Sequence, residues 1–175
     1  MLPARLGESS GVLAKGQGMQ RTFTDFIERN MFTMRIGYTT GVFDLFHIGH
    51  LNLLRNARAL CDKLIVGVTT DDLSINVKGK QPIITFAERI EIVRSCRYVD
   101  MAIPQMNMDK VEACKKIKAN VVFVGDDWYG TKQWREYEYL LSIEGIPVVY
   151  LPYTANISST KILERLKKSR EDVCG

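Results

Sequence analysis

From Met34 onward, short apolar runs alternate with stretches in which apolar residues recur every three or four positions. The runs Arg35 to Thr39, Leu64 to Thr69, Val99 to Ile103, Val121 to Gly125 and Val148 to Leu151 predict strands. The periodic stretches Ile48 to Cys61, Phe86 to Cys96, Asp109 to Lys118, Lys132 to Ile143 and Ser158 to Lys168 predict the helices that follow them. Strands separated by helices of this length pair in parallel, and their continuous Val, Ile and Leu content requires cover on both faces.

The expected fold class is therefore α/β: a Rossmann-like, doubly wound sheet of about five parallel strands with helices on both faces. Local signals mark the helix ends. Thr85 stands three residues before Glu88, the spacing of a capping box, and Asn107 or Asp109 is placed to cap the next helix. Gly145 and Pro147 stop the helix that precedes the last strand. Residues 1–18 hold four glycines in a loose polar mixture, and Gln20 to Asn30 could add a short helix with Phe23, Phe26 and Ile27 on one face. Residues 1–33 are thus expected to be a flexible leader or extension, with the organised domain at 34–170.

A chain of 175 residues suits one domain, and 46% apolar with 25% charged content is that of an ordinary globular protein. The net charge of +4 is spread over 24 basic and 20 acidic side chains without a long run of one sign. That favours small anionic ligands and argues against nucleic acid as a partner. The four cysteines, at 61, 96, 114 and 174, have no C-x-x-C spacing and read as free thiols of a reducing compartment. No window approaches a membrane span and the N-terminus lacks the order of a secretory signal, so a cytoplasmic location without membrane attachment is expected.

The first strand runs into Gly41-Val42-Phe43-Asp44-Leu45-Phe46-His47-Ile48-Gly49-His50 and then into a helix. Backbone N–H groups in such a loop, close approach at Gly41 and Gly49, and the partial positive charge of the helix start together make a phosphate site. His47 and His50 are the only histidines, and their i, i+3 spacing puts both rings on one side of the first turn. Two imidazoles there can donate to oxygens that gain charge in phosphoryl or nucleotidyl transfer. The other readings are a packing role, or a metal such as zinc held with Asp44, which lacks the further ligands a structural site needs.

Lys78 and Lys80 flank Gly79 in what reads as a mobile loop, able to grip neighbouring phosphates or simply to be solvated. Arg89 and Arg97 could reach phosphate or sit in surface ion pairs. Gly125-Asp126-Asp127-Trp128 ends the fourth strand with two carboxylates that could accept from a ribose or base, or cap the next turn. Ser158, Ser159 and Thr160 open the last helix, either as a second phosphate cradle or as its N-cap.

H-x-G-H after the first strand, V-K-G-K after the second, G-D-D-W after the fourth and I-S-S-T-K before the last helix occur in that order. In this the chain resembles the cytidylyltransferase family, most closely the glycerol-3-phosphate cytidylyltransferase group, over about Met34 to Leu166. The resemblance implies transfer of CMP from CTP to a small alcohol or alditol phosphate with release of pyrophosphate, Mg2+ on the phosphates, and a homodimer. It assigns Val42, Phe43, His47, Gly49 and His50 to the nucleotide, Lys80 to its phosphates with a catalytic share, and Lys78 and Lys110 to the acceptor phosphate. Thr154 with Ser158, Ser159 and Thr160 matches the stretch that holds the β and γ phosphates. Relatives usually carry Arg-Thr-x-Gly where this chain has Tyr153-Thr154-Ala155-Asn156, so a bidentate cation is missing and base choice is opened.

His47-Ile48-Gly49-His50 also spells the class I aminoacyl-tRNA synthetase signature, but 175 residues cannot supply the tRNA-binding domains. The alternatives that remain are an adenylyltransferase of similar fold using ATP and a catalytically silent nucleotide-binding module.

Overall fold

A computed structural model of the chain describes residues 34–79 and 81–174. The possible helix at Gln20 to Asn30 and the flexible-leader reading of residues 1–33 lie outside the described residues. Five strands, β1 (Ile36–Gly41), β2 (Lys63–Thr69), β3 (Met101–Gln105), β4 (Val121–Gly125) and β5 (Val148–Leu151), form one sheet in the order β3-β2-β1-β4-β5. All neighbours are parallel, with Ile36 opposite Lys63, Ile65 opposite Met101, Gly37 opposite Val121 and Val122 opposite Val148. The described helices are α1 (Ile48–Arg58), α2 (Asp71–Lys78), α3 (Phe86–Arg94), α4 (Lys110–Ile117), α5 (Lys132–Ile143) and α6 (Ser159–Cys174).

The doubly wound α/β expectation is met, and strand alternation explains its two cores. Leu64, Val66, Val68 and Phe123 face one side with Leu54 and Ala57 of α1 and Ile90 and Val93 of α3. Ile65, Val122 and Val124 face the other with Cys114 of α4 and Trp134 and Leu141 of α5. Pro104 is accommodated because β3 is an edge strand, and β3 lies two residues further along than its apolar run suggested.

Two local readings are confirmed in atomic terms. Thr85 and Glu88 form a reciprocal capping box on α3, and Asp109 rather than Asn107 caps α4. One is corrected: Lys78 and Gly79 do not lie in an open loop. Thr70 caps a helix with Asp71 and Asp72 in its first turn, Lys78 is that helix's last residue, and Gly79 closes it in the left-handed conformation at φ 61°. Lys80 and the Lys78 side chain lie outside the described residues.

Strand order reverses between β1 and β4, where the chain leaves one half of the sheet for the other. A crevice outside the carboxyl ends of the strands at such a switch point is where open α/β sheets bind ligands. A cleft of about 560 Å³ lies there.

Candidate active site

The cleft is lined by the ends of β1 and β4 and by the first turns of α1 and α6. Neither first turn carries an acidic residue, so no carboxylate offsets the partial positive charge that both helix starts present to the space. Their meeting is fixed by one bond, from Ser159 Oγ to the Asp44 carbonyl at 2.6 Å. Asn52 Nδ2 adds a second tie, to Thr154 Oγ1 at 3.0 Å.

His47 is the N-cap of α1 and accepts the Gly49 N–H on Nδ1 at 3.1 Å, while His50 Nδ1 accepts the His47 N–H at 3.4 Å. A ring nitrogen that accepts carries no proton, so both rings are held as the tautomer with hydrogen on Nε2. The rings stack, with centroids 3.9 Å apart, and His50 also lies edge-on to Phe43 at 5.2 Å. Burial lowers the pKa of both; His50, with His47 beside it, is pushed down to about 3 against the weaker pull of Asp44. Both are neutral at physiological pH, and each keeps an Nε2–H donor on a ring that lines the cleft. Gly49 is required here for a reason other than phosphate approach: a Cβ would stand 2.9 Å from His47 Cε1.

The loop before the helix is strained. Phe43 and Leu45 have φ of 56° and 47°, a region that costs a residue with a side chain about 1–3 kcal/mol. Asp44, between them, anchors it: its carboxylate accepts Leu45 N and Ile84 N on Oδ1 and Ile83 N on Oδ2. Asp44 lines the cleft, yet those oxygens are engaged by backbone donors. The Phe43 ring is in the core at 2% exposure, so what this residue offers a phosphate is its backbone.

Arg89 departs from the expected substrate contact. It does not line the cleft, it is fully buried, and its guanidinium donates to the carbonyls of Val42, Thr69 and Ile84 and to Asp71. Burial by itself raises the Asp71 pKa, but the Phe86 N–H and Arg89 outweigh it and hold the carboxyl below its usual value. Lys110 lies in the cleft. It is 5% exposed, with Nζ 3.2 Å from Thr40 Oγ1 and lying over the rings of Tyr137 at 4.9 Å and Trp134 at 5.5 Å.

Of the two carboxylates after β4, Asp127 lines the cleft and Asp126 does not; Asp126 instead accepts the Tyr153 N–H at 2.9 Å. Burial raises the Asp127 pKa, with Asp126 adding to it. Tyr153 donates its hydroxyl to the Ile157 carbonyl at 3.0 Å, so it shapes the turn into α6 and supplies no charge. Ser158 Oγ accepts the Lys161 N–H, a capping bond, and Thr154, Ser159 and Thr160 line the cleft beside it. The hydroxyl run is therefore both cap and wall.

Among the described residues no three His, Cys, Asp or Glu side chains converge to hold a metal ion, and no helix is long and apolar enough to cross a membrane. The carboxylates that line the cleft are Asp44, whose oxygens accept backbone N–H groups, and Asp127.

Asn52, Asp71, Trp134 and Tyr137 were not picked out by sequence reasoning. Asn52 and Asp71 act through bonds to residues 102 and 18 positions away, which leave no local pattern. The aromatic pair repeats at i, i+3 on α5, but that spacing also describes any packed helix face.

A model of the cytidylyltransferase-like family matches residues 38–165. The chain is 36% identical over 129 residues to glycerol-3-phosphate cytidylyltransferase of Staphylococcus aureus, covering 73% of this chain and 92% of that one. It is 32% identical over 136 residues to FAD synthase of Pyrococcus abyssi, covering 77% and 91%. Among solved structures, the lipopolysaccharide core biosynthesis protein of Thermoplasma volcanium superposes with a TM-score of 0.59 at 28% identity, over 70% of this chain and 98% of that one.

Proposed function

Because the chain belongs to the cytidylyltransferase-like family and is a nucleotidyltransferase, we propose that it moves CMP from CTP to a small polyol phosphate of the glycerol-3-phosphate type. An oxygen of the acceptor phosphate attacks the α-phosphorus of CTP, the bond from that phosphorus to the β-bridging oxygen breaks, and pyrophosphate leaves. No covalent bond to the protein is needed, so catalysis is positioning and charge stabilisation.

The observation that carries this reading is the pair of neutral imidazoles that line the cleft, each with its Nδ1 engaged and its Nε2–H left to donate. Donors held in advance stabilise oxygens that gain charge in the transition state without reorganising when the charge arrives. The starts of α1 and α6, with Gly41, Val42, Thr154, Ser158, Ser159 and Thr160, receive the triphosphate; Asp127 faces the nucleoside. Lys78, Lys80 and Lys110 take the acceptor and β,γ-phosphate charge. Lys110 fits this best, as a nearly buried cation whose aromatic neighbours fix its position. Mg2+ would be held by the phosphates with Asp127 in reach, and would supply charge neutralisation.

A homodimer belongs to the same reading, supported by a groove beside α1 and α3 where Phe46, Leu51, Ile92 and Tyr98 are rimmed by Glu91 and Arg97. The free Cys61, Cys96 and Cys114 fit a cytoplasmic location.

A second reading, adenylyl transfer from ATP, is favoured by the relative named FAD synthase and by Tyr153 in place of a cation. A pyrophosphate-release assay of CTP, ATP, GTP and UTP crossed with small phosphate monoesters separates the two. The expected result is turnover with CTP and glycerol 3-phosphate; turnover with ATP alone sinks the cytidylyl assignment.

A further inference from the structure

The segment between β2 and α3 leaves the sheet at Thr69, forms α2, which carries Lys78, and returns through Ile83 and Ile84 to Thr85. Packing does little to hold it. Ser74 is the one buried side chain among the described residues of α2, while Ile75 and Val77 are exposed. Its two ends are instead gathered at a single guanidinium.

Arg89 donates Nη1 to the Thr69 carbonyl at 2.8 Å and Nη2 to Asp71 at 2.6 Å, which fixes the departure, and Nε to the Ile84 carbonyl at 2.9 Å, which fixes the return. The same Nη1 also donates to the Val42 carbonyl, immediately before the strained Phe43 of the histidine loop. From the other side the Asp44 carboxylate takes the N–H groups of Ile83 and Ile84 together with that of Leu45. Ile84 is thus held by Arg89 through its carbonyl and by Asp44 through its amide. Phe86 N donates to Asp71 at 3.0 Å and ties the start of α3 into the same group.

We propose that Arg89 is a positioning residue: with Asp71 and Asp44 it forms a clasp that holds α2 and the Ile83–Ile84 return in register with the loop that carries His47 and His50. The wall that bears Lys78 and the wall that bears the imidazoles are then set by one buried fork. An arginine is needed because its donors point in several fixed directions, and a lysine ammonium has the charge but cannot span four acceptors. The kinetic consequence rests on the nucleotidyl-transfer reading; the geometry of the clasp does not.

The test uses full-length Arg89→Lys and Asp71→Ala, assayed well below their melting temperatures, with amide hydrogen exchange on the same samples. Arg89→Lys is expected to lower kcat by about 10²-fold, as a displacement of order 1 Å does, because it releases the histidine loop as well as α2. Its exchange rises together at Leu45 and at Ile83 and Ile84, with β4 and β5 unchanged. Asp71→Ala leaves Val42 held, so the acceptor KM rises about tenfold, the scale of one lost charged hydrogen bond, while kcat stays within a few-fold. Its exchange rises at Phe86 and in α2 but not at Leu45. Wild-type exchange at Leu45, Ile83 and Ile84 in Arg89→Lys, or activity losses in both variants that merely follow their folded fractions, would overturn the clasp. A wild-type protein that releases no pyrophosphate with any acceptor overturns the reaction instead, and the exchange pattern still decides the clasp.

Discussion

His47 and His50 stack with ring centroids 3.9 Å apart and planes 18° from parallel, and each gives its Nδ1 to a backbone N–H of the turn that carries them. Two cationic rings could not be held so close, so the stack, the burial and the tautomer all require neutral imidazoles. The helix cap and the candidate donors are therefore the same two side chains, and substitutions there should separate stability from turnover.

His47→Ala removes an N-cap and should cost about 1 kcal/mol of stability besides its loss of kcat. His47→Asn keeps an acceptor for the Gly49 N–H, so it should restore Tm and leave kcat low. Recovery of both by Asn would mean that His47 only caps.

His50→Ala should lower kcat by on the order of 10² to 10³, the usual loss for one oriented transition-state donor, with the fold intact by circular dichroism. Near-normal turnover in that variant would contradict the role given to the pair.

The pH dependence follows from the lowered imidazole pKa values. In the unfolded chain His50 titrates near 6.5, whereas in the fold it is pushed down to about 3. Between those values the unfolded state binds a proton that the folded state does not, so stability falls as pH drops from 6.5 towards 3, by up to about 1.4 kcal/mol per pH unit. Thermal melts should show wild type losing Tm over that range more steeply than His50→Gln. For the same reason kcat should show no titration of His50 between pH 6 and 8.

Gly49→Ala would place a Cβ 2.9 Å from His47 Cε1 and 3.0 Å from its Nδ1. Alanine is the better helix former by about 1 kcal/mol, but a displaced His47 ring gives up the cap bond from the Gly49 N–H, of similar worth, so Tm should change little. The His47 ring must turn away, and kcat should fall about tenfold or more, since small misplacements of a catalytic group are costly. Unchanged turnover would show that the His47 ring position does not matter.

Lys110→Met keeps most of the stem between Trp134 and Tyr137 and removes the charge beside Thr40. The acceptor KM should rise about tenfold or more, on the scale of a lost charged contact, with the CTP KM little changed. A rise confined to the CTP KM would move Lys110 to the nucleotide side.

Much of this protein can be read in the chain because its signals are local. Continuous Val and Ile runs mark strands covered on both faces, and Thr85 with Glu88 marks a helix start within four residues. The strand-to-helix position of G-V-F-D-L-F-H-I-G-H is legible from the chain alone, because the apolar run before it and the helical period after it are both local. Helix α2 has no clear signal in the chain because it has eight residues, one buried side chain among those described, and apolar positions at Leu73, Ile75 and Val77 that alternate as in a strand.

Tertiary structure alone decided which polar groups face the cleft and which are used up behind it. Arg89 and Asp44 carry charges suited to a ligand, but Arg89 is engaged by Asp71 and by the carbonyls of Val42, Thr69 and Ile84, and Asp44 by the N–H groups of Ile83 and Ile84 besides that of Leu45, and no pattern along the chain reports the long-range bonds among these. Lys110 is the opposite case, drawn to the end of β1, 70 residues away, by Thr40 and two rings of α5. Residue type and spacing determine what chemistry is available to this protein; packing settles where each charge is satisfied, because a buried charge must find its partners wherever the fold brings them.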